Sequence, residues 1–166
     1  IGNLSSVDAS YEQTMNAMYS APLFLQILCL AVLVPISEEY VFRGLFFKRL
    51  ESSTTFVSAM LYSSLVFGIL HMNLVQMIYG FILGMMLAYV YEKYGSLKAP
   101  VAAHMAMNLL SVLATEFGLY SWLMKDKIRI GVITVACATI ASTMFVMIRG
   151  IEEKPQKKND KENLAM

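Results

Sequence analysis

The chain has 166 residues, 57% of them apolar and only 15% charged, with a mean hydropathy of +0.57. A soluble domain of this length is nearer half apolar and about a quarter charged, so one integral membrane domain is expected instead. A net charge of +1 without a basic, aromatic-interleaved stripe gives no footing for a nucleic-acid partner, and two distant cysteines, Cys29 and Cys137, make neither a disulfide framework nor a CxxC metal motif.

The sequence opens on Ile1, and residues 1–20 hold no Lys or Arg, so the basic region of a signal peptide is missing. The expectation is an extracytoplasmic N-terminal segment over 1–20, in a chain truncated before its first residue. Five apolar stretches follow, at 21–36 (continuing, interrupted, to 47), 56–70, 74–91, 99–115 and 130–148. A helix needs about 20 residues to cross the hydrocarbon. Long runs without strict alternation argue against a barrel. The predicted fold is all-α: a polytopic transmembrane bundle of about five helices, its catalytic domain spanning 21–149.

Gly95 is a plausible helix stop and Pro100 a start. Gly80 and Gly84 form a GxxxG pair that permits close helix approach. Tyr89, Tyr91, Tyr94 and Trp122 suit the membrane interface. The tail at 150–166 is charged, Pro-containing and non-periodic, as a disordered segment is. Lys and Arg favour the cytoplasmic side, which puts that tail inside with the loops at 48–55 and 92–98. The Lys- and Asn-rich tail suggests a bacterial cytoplasmic membrane.

Ionisable groups inside apolar segments carry the functional reading, because charges at membrane depth are costly and face a cavity with partners. Residues 33–47 read LVPISEEYVFRGLFF. Glu39 and Arg43 are four apart and share a helical face in the favourable order, while Glu38 lies about 100° around the helix. This arrangement holds Glu39 on Arg43 and leaves Glu38 free. The chain's two histidines also lie in apolar segments: His71 closes LVFGILH, and His104 sits in VAAHMAMN with Asn108 four residues on. A charge cluster closing the first helix and independent helix–helix hydrogen bonds are the structural alternatives. The chemistry such a set supports is hydrolysis, with a desolvated carboxylate as base, an imidazole sharing its water, and an amide and second imidazole as oxyanion donors. Two histidines and a carboxylate are also a zinc ligand set. Ser63 and Ser64 read as backbone-bonding serines, since no base is spaced to activate them.

EEYVFR, FGILH and HMAMN fit EExxxR, FxxxH and HxxxN in order. Together they resemble the motifs of the CAAX protease and bacteriocin-processing family of intramembrane endopeptidases, over roughly residues 33–110. The resemblance implies Glu38 as the base that activates water, with Glu39 and Arg43 as its supporting pair. It implies that His71 holds the water or the base and that His104 and Asn108 form the oxyanion site. It further implies a site open to the cytoplasm, acting on a peptide or protein substrate at the bilayer, prenylated or carrying a leader. A metal-free glutamate mechanism is the favoured expectation. With zinc, the ligands would be Glu38, His71 and His104. The rival readings are a non-catalytic scaffold or bacteriocin self-immunity protein, and a proton or ion carrier. One difficulty stands. Helices drawn as full spans put His71 at a different depth from Glu38 and His104, unless the 56–70 helix is tilted or broken, or the chain bends at Pro35.

Overall fold

The computed structural model describes residues 19–72 and 74–151, with Gln13, Asn16 and Ala17. Most of the expected N-terminal segment (1–20) and of the charged tail (150–166) lies outside the described residues. Among those described, the chain is helical and without strands. All five apolar stretches fall on helices: α1 (Leu23–Glu51), α2 (Phe56–Ile69), α3 (Leu74–Tyr94), α4 (Lys98–Glu116) and α6 (Lys127–Arg149), with a short α5 (Leu119–Met124) before the last. Three of them, α1, α3 and α6, are long and apolar enough to cross a bilayer. Helix α2 is equally apolar but has 14 residues, about 21 Å of rise against a hydrocarbon core of about 30 Å.

Local chemistry sets the ends. The Thr55 hydroxyl caps α2 by accepting from the Ser58 N–H, and Asp126 caps α6 by accepting from the Ile128 N–H at 2.9 Å. Gly95 and Gly118 take left-handed backbone after α3 and α4, at φ of 59° and 64°, a conformation glycine enters freely. Pro100 sits in the first turn of α4, where no helical N–H is needed.

Helices α2 and α3 form an antiparallel hairpin packed backbone to backbone. A methyl on Gly68 would lie 2.6 Å from the Met77 carbonyl, and one on Gly84 would lie 2.9 Å from Ser64 Cβ. Gly80 packs against Gly68 Cα. The GxxxG pair is therefore a contact surface for α2. At one end of the bundle Phe47, Ala59 and Ala88 form a dry core under Leu50, Phe56, Met60 and Tyr91. Phe47 meets Phe56 and Tyr91 edge-on, with ring centroids 6.1 and 5.8 Å away. The opposite end, nearer the α2–α3 turn, is polar inside.

Candidate active site

Helix α1 departs from regular winding around the acidic pair. Ile27–Leu33 and Tyr40–Phe47 are wound as π-helix, and the α-helical turn Val34–Glu39 lies between them. Such wide turns concentrate at functional sites. The inserted turn carries Glu38 and Glu39 toward different partners.

Glu39 is fully buried and Arg43 nearly so. Glu39 Oε1 accepts from Arg43 Nη1 at 2.8 Å and from His104 Nδ1 at 2.9 Å. Arg43 Nη2 donates to the Gly84 carbonyl at 2.9 Å, and its guanidinium lies over the Phe67 ring, 4.8 Å from the centroid. One carboxylate thus ties α1 to α4, and one guanidinium ties α1 to the α2–α3 hairpin. A buried charge survives only with partners of this kind.

Glu38 is held differently. Its side chain is 25% exposed, and its nearest polar neighbour in the ion-pair range is His104 Nε2, 3.7 Å from Oε2. His104 Nδ1 donates to the Glu39 carboxylate, an acceptor, so the ring is fixed with Nε2 facing Glu38. His71 follows the same rule, since its Nδ1 donates to the Phe67 carbonyl at 2.8 Å. The Phe67 ring stands edge-on to both imidazoles, with centroids 5.0 Å from His71 and 6.0 Å from His104. Asn108 Nδ2 donates to the Leu30 carbonyl at 2.8 Å.

Glu38, His71, His104 and Asn108 all line one cavity of about 300 Å³. The seven motif residues divide accordingly: these four and Phe67 line the cavity, while Glu39 and Arg43 lie behind it. The depth difficulty resolves in two ways. Helix α2 is too short to be a full span, and the His71 ring folds back onto the last turn of α2 instead of continuing outward. The cavity also takes Tyr19, Gln76, Tyr79 and Ser111, polar residues that no motif marked. Ser63 and Ser64 lie elsewhere, in the α2–α3 packing, and the Ser63 hydroxyl donates to the Met60 carbonyl.

The two Nδ1 contacts are those a pair of zinc-bound imidazoles would make. The first shell does not match. Among the described residues no three His, Cys, Asp or Glu side chains gather closely enough to hold a metal ion. Glu38, His71 and His104 line one cavity without forming such a group.

The cavity lies in the half of the bundle nearer the 70–73 turn, away from the loops at 52–55 and 95–97. A site opening to the cytoplasm at that end would put the loops at 48–55 and 92–98 on the opposite side from the one their charge predicts. Labelling Ser53→Cys with a membrane-impermeant thiol reagent, in a chain otherwise free of cysteine, decides between the two sides. Labelling from outside keeps the cytoplasmic site and reverses the orientation read from charge.

Residues 20–110, more than half of the chain, match the family profile described as type II CAAX prenyl endopeptidase Rce1-like. Over 89 residues the chain is 34% identical to the Bacillus subtilis (strain 168) protein named "Putative membrane peptidase YdiL", which covers 54% of this chain and 36% of that relative. The chain thus spans little more than a third of that relative's length. No solved structure matches. The matched segment carries all seven motif residues, and with the apolar helices it makes this an integral membrane protein. The chain belongs to the type II CAAX prenyl endopeptidase Rce1-like family.

Proposed function

We propose that the chain forms the core of a membrane endopeptidase in which Glu38 activates the attacking water. The observation that carries this reading is the division of labour between adjacent acids. Glu39 is spent on Arg43 and His104, whereas Glu38 reaches the cavity facing an imidazole nitrogen. Carboxylate and imidazole at 3.7 Å can share one water that donates to both.

The step balances simply. The water oxygen bonds to the carbonyl carbon as one water proton passes to Glu38. The tetrahedral intermediate then expels the amine, which takes that proton, and the C–N bond breaks. His71, fixed by Phe67, orients the water from the second side. His104, held by Glu39 through Nδ1, accepts the water's other hydrogen at Nε2 and keeps it aimed while Glu38 takes the transferred proton. Oriented groups around the cavity hold the water and the carboxylate without reorganising. A metal-free route is favoured because the sequence carries no tight ligand motif of the HExxH kind. The substrate class is a peptide or protein at the membrane, prenylated or carrying a leader.

The test is cleavage of a fluorogenic peptide library by the purified protein in detergent, with and without a strong chelator. Cleavage that survives the chelator supports the glutamate mechanism. Cleavage removed by the chelator and restored by zinc overturns it. Proton flux in liposomes without cleavage would favour a carrier instead.

A further inference from the structure

Asn108 lines the cavity, but its amide is committed to the backbone of α1, and hydrogen-bond accounting explains why. In the first π-wound stretch the Val34 N–H donates to the Cys29 carbonyl, five residues back. The next acceptor in that register is the Leu30 carbonyl, and its partner would be residue 35. Residue 35 is proline, which has no N–H. Val34 is already used, so the helix offers Leu30 no donor. Leu30 is half-buried and lines the cavity, and a carbonyl without a partner there costs free energy. Asn108 Nδ2 lies 2.8 Å from it, arriving from 78 residues away.

We propose that Asn108 is a positioning residue whose amide replaces the N–H that Pro35 lacks, fixing the register of α4 against α1. Asn108 is one turn beyond His104 on the same face of α4. The two helices are therefore pinned on both sides of Pro35, by Asn108 on Leu30 and by His104 on Glu39. The first pin sets how far His104 Nε2 stands from Glu38. The catalytic consequence rests on the glutamate reading above. The register itself does not.

The test is a double-mutant cycle with Asn108→Ala in the natural and Pro35→Ala backgrounds, read by library cleavage and by thermal unfolding of the full chain in detergent. Alone, Asn108→Ala lowers cleavage about 100-fold, as small misplacements of reacting groups do, and lowers the melting midpoint by about 2–4 °C. With Pro35→Ala, residue 35 brings its own N–H, and the further loss of cleavage shrinks at least about tenfold. Equal losses in both backgrounds would overturn the proposal and make Asn108 a direct oxyanion donor. Pro35→Ser repeats the cycle if Pro35→Ala does not fold. Coupling in the melting midpoint without any cleavage would sink only the peptidase reading, and cleavage without coupling would sink only the positioning role.

Discussion

Helices α1 and α6 are similar in composition and opposite in use. Both are apolar, at 29 and 23 residues, and both can cross a bilayer. Helix α1 buries a carboxylate, a guanidinium and a proline, breaks its regular winding twice, and contacts every other helix of the site. Helix α6 buries none of its residues, winds regularly, and touches the bundle through a Tyr89–Phe145 stack and through Lys93, which donates to the Arg149 and Ile151 carbonyls. Hydropathy alone does not separate a helix that anchors from one that reacts. The separating feature is polar groups placed where the membrane would exclude them unless partners wait nearby.

That contrast can be broken or sharpened by substitution. The largest effect is expected at Glu39→Ala. It leaves Arg43 buried with the Gly84 carbonyl and the Phe67 ring but without its paired carboxylate, and removes the Nδ1 partner of His104. Breaking a buried pair this way costs about 3–5 kcal/mol, read as the unfolding free energy in detergent. Gly68→Ala comes next. Its methyl would meet the Met77 carbonyl at 2.6 Å, so the hairpin must open at about 1–3 kcal/mol, and cleavage should fall because His71 hangs from the end of α2. On the other helix Phe145→Ala removes the ring stack with centroids 5.5 Å apart, worth about 0.5–1.5 kcal/mol by the same unfolding assay, with cleavage retained. Smallest of all, Val135→Ala on the exposed face of α6 should stay within about 0.5 kcal/mol. A core-sized loss at Val135 in the same assay would mean that α6 is buried against protein.

The same contrast explains what could be read from the sequence. Helix positions were legible because apolar runs, Gly95 and Pro100 act locally. The Glu39–Arg43 pair was legible for the same reason, since a spacing of four puts two side chains on one face. Sharing of Glu39 with His104, 65 residues away, was not, because helix-to-helix register leaves no periodic trace. The same holds for Tyr19, Gln76, Tyr79 and Ser111, which reach the cavity only through packing. The π-wound turns could have been suspected at Pro35, where the helix must lose a hydrogen bond. The short length of α2 is visible in the sequence, and it lets His71 lie beside the cavity. Charge counts put the loops at 48–55 and 92–98 inside, at the end of the bundle away from the cavity, and the Ser53→Cys labelling decides the orientation.

The most direct measurement compares wild type with Glu38→Gln, following cleavage of the fluorogenic library and the melting midpoint on the same preparations. Glu38 makes no tight structural contact, so the midpoint should not move, while cleavage falls about 100- to 10,000-fold, the range a general base supplies. A Glu38→Gln protein that folds equally well and cleaves as fast as wild type would contradict the assignment of Glu38 as the base.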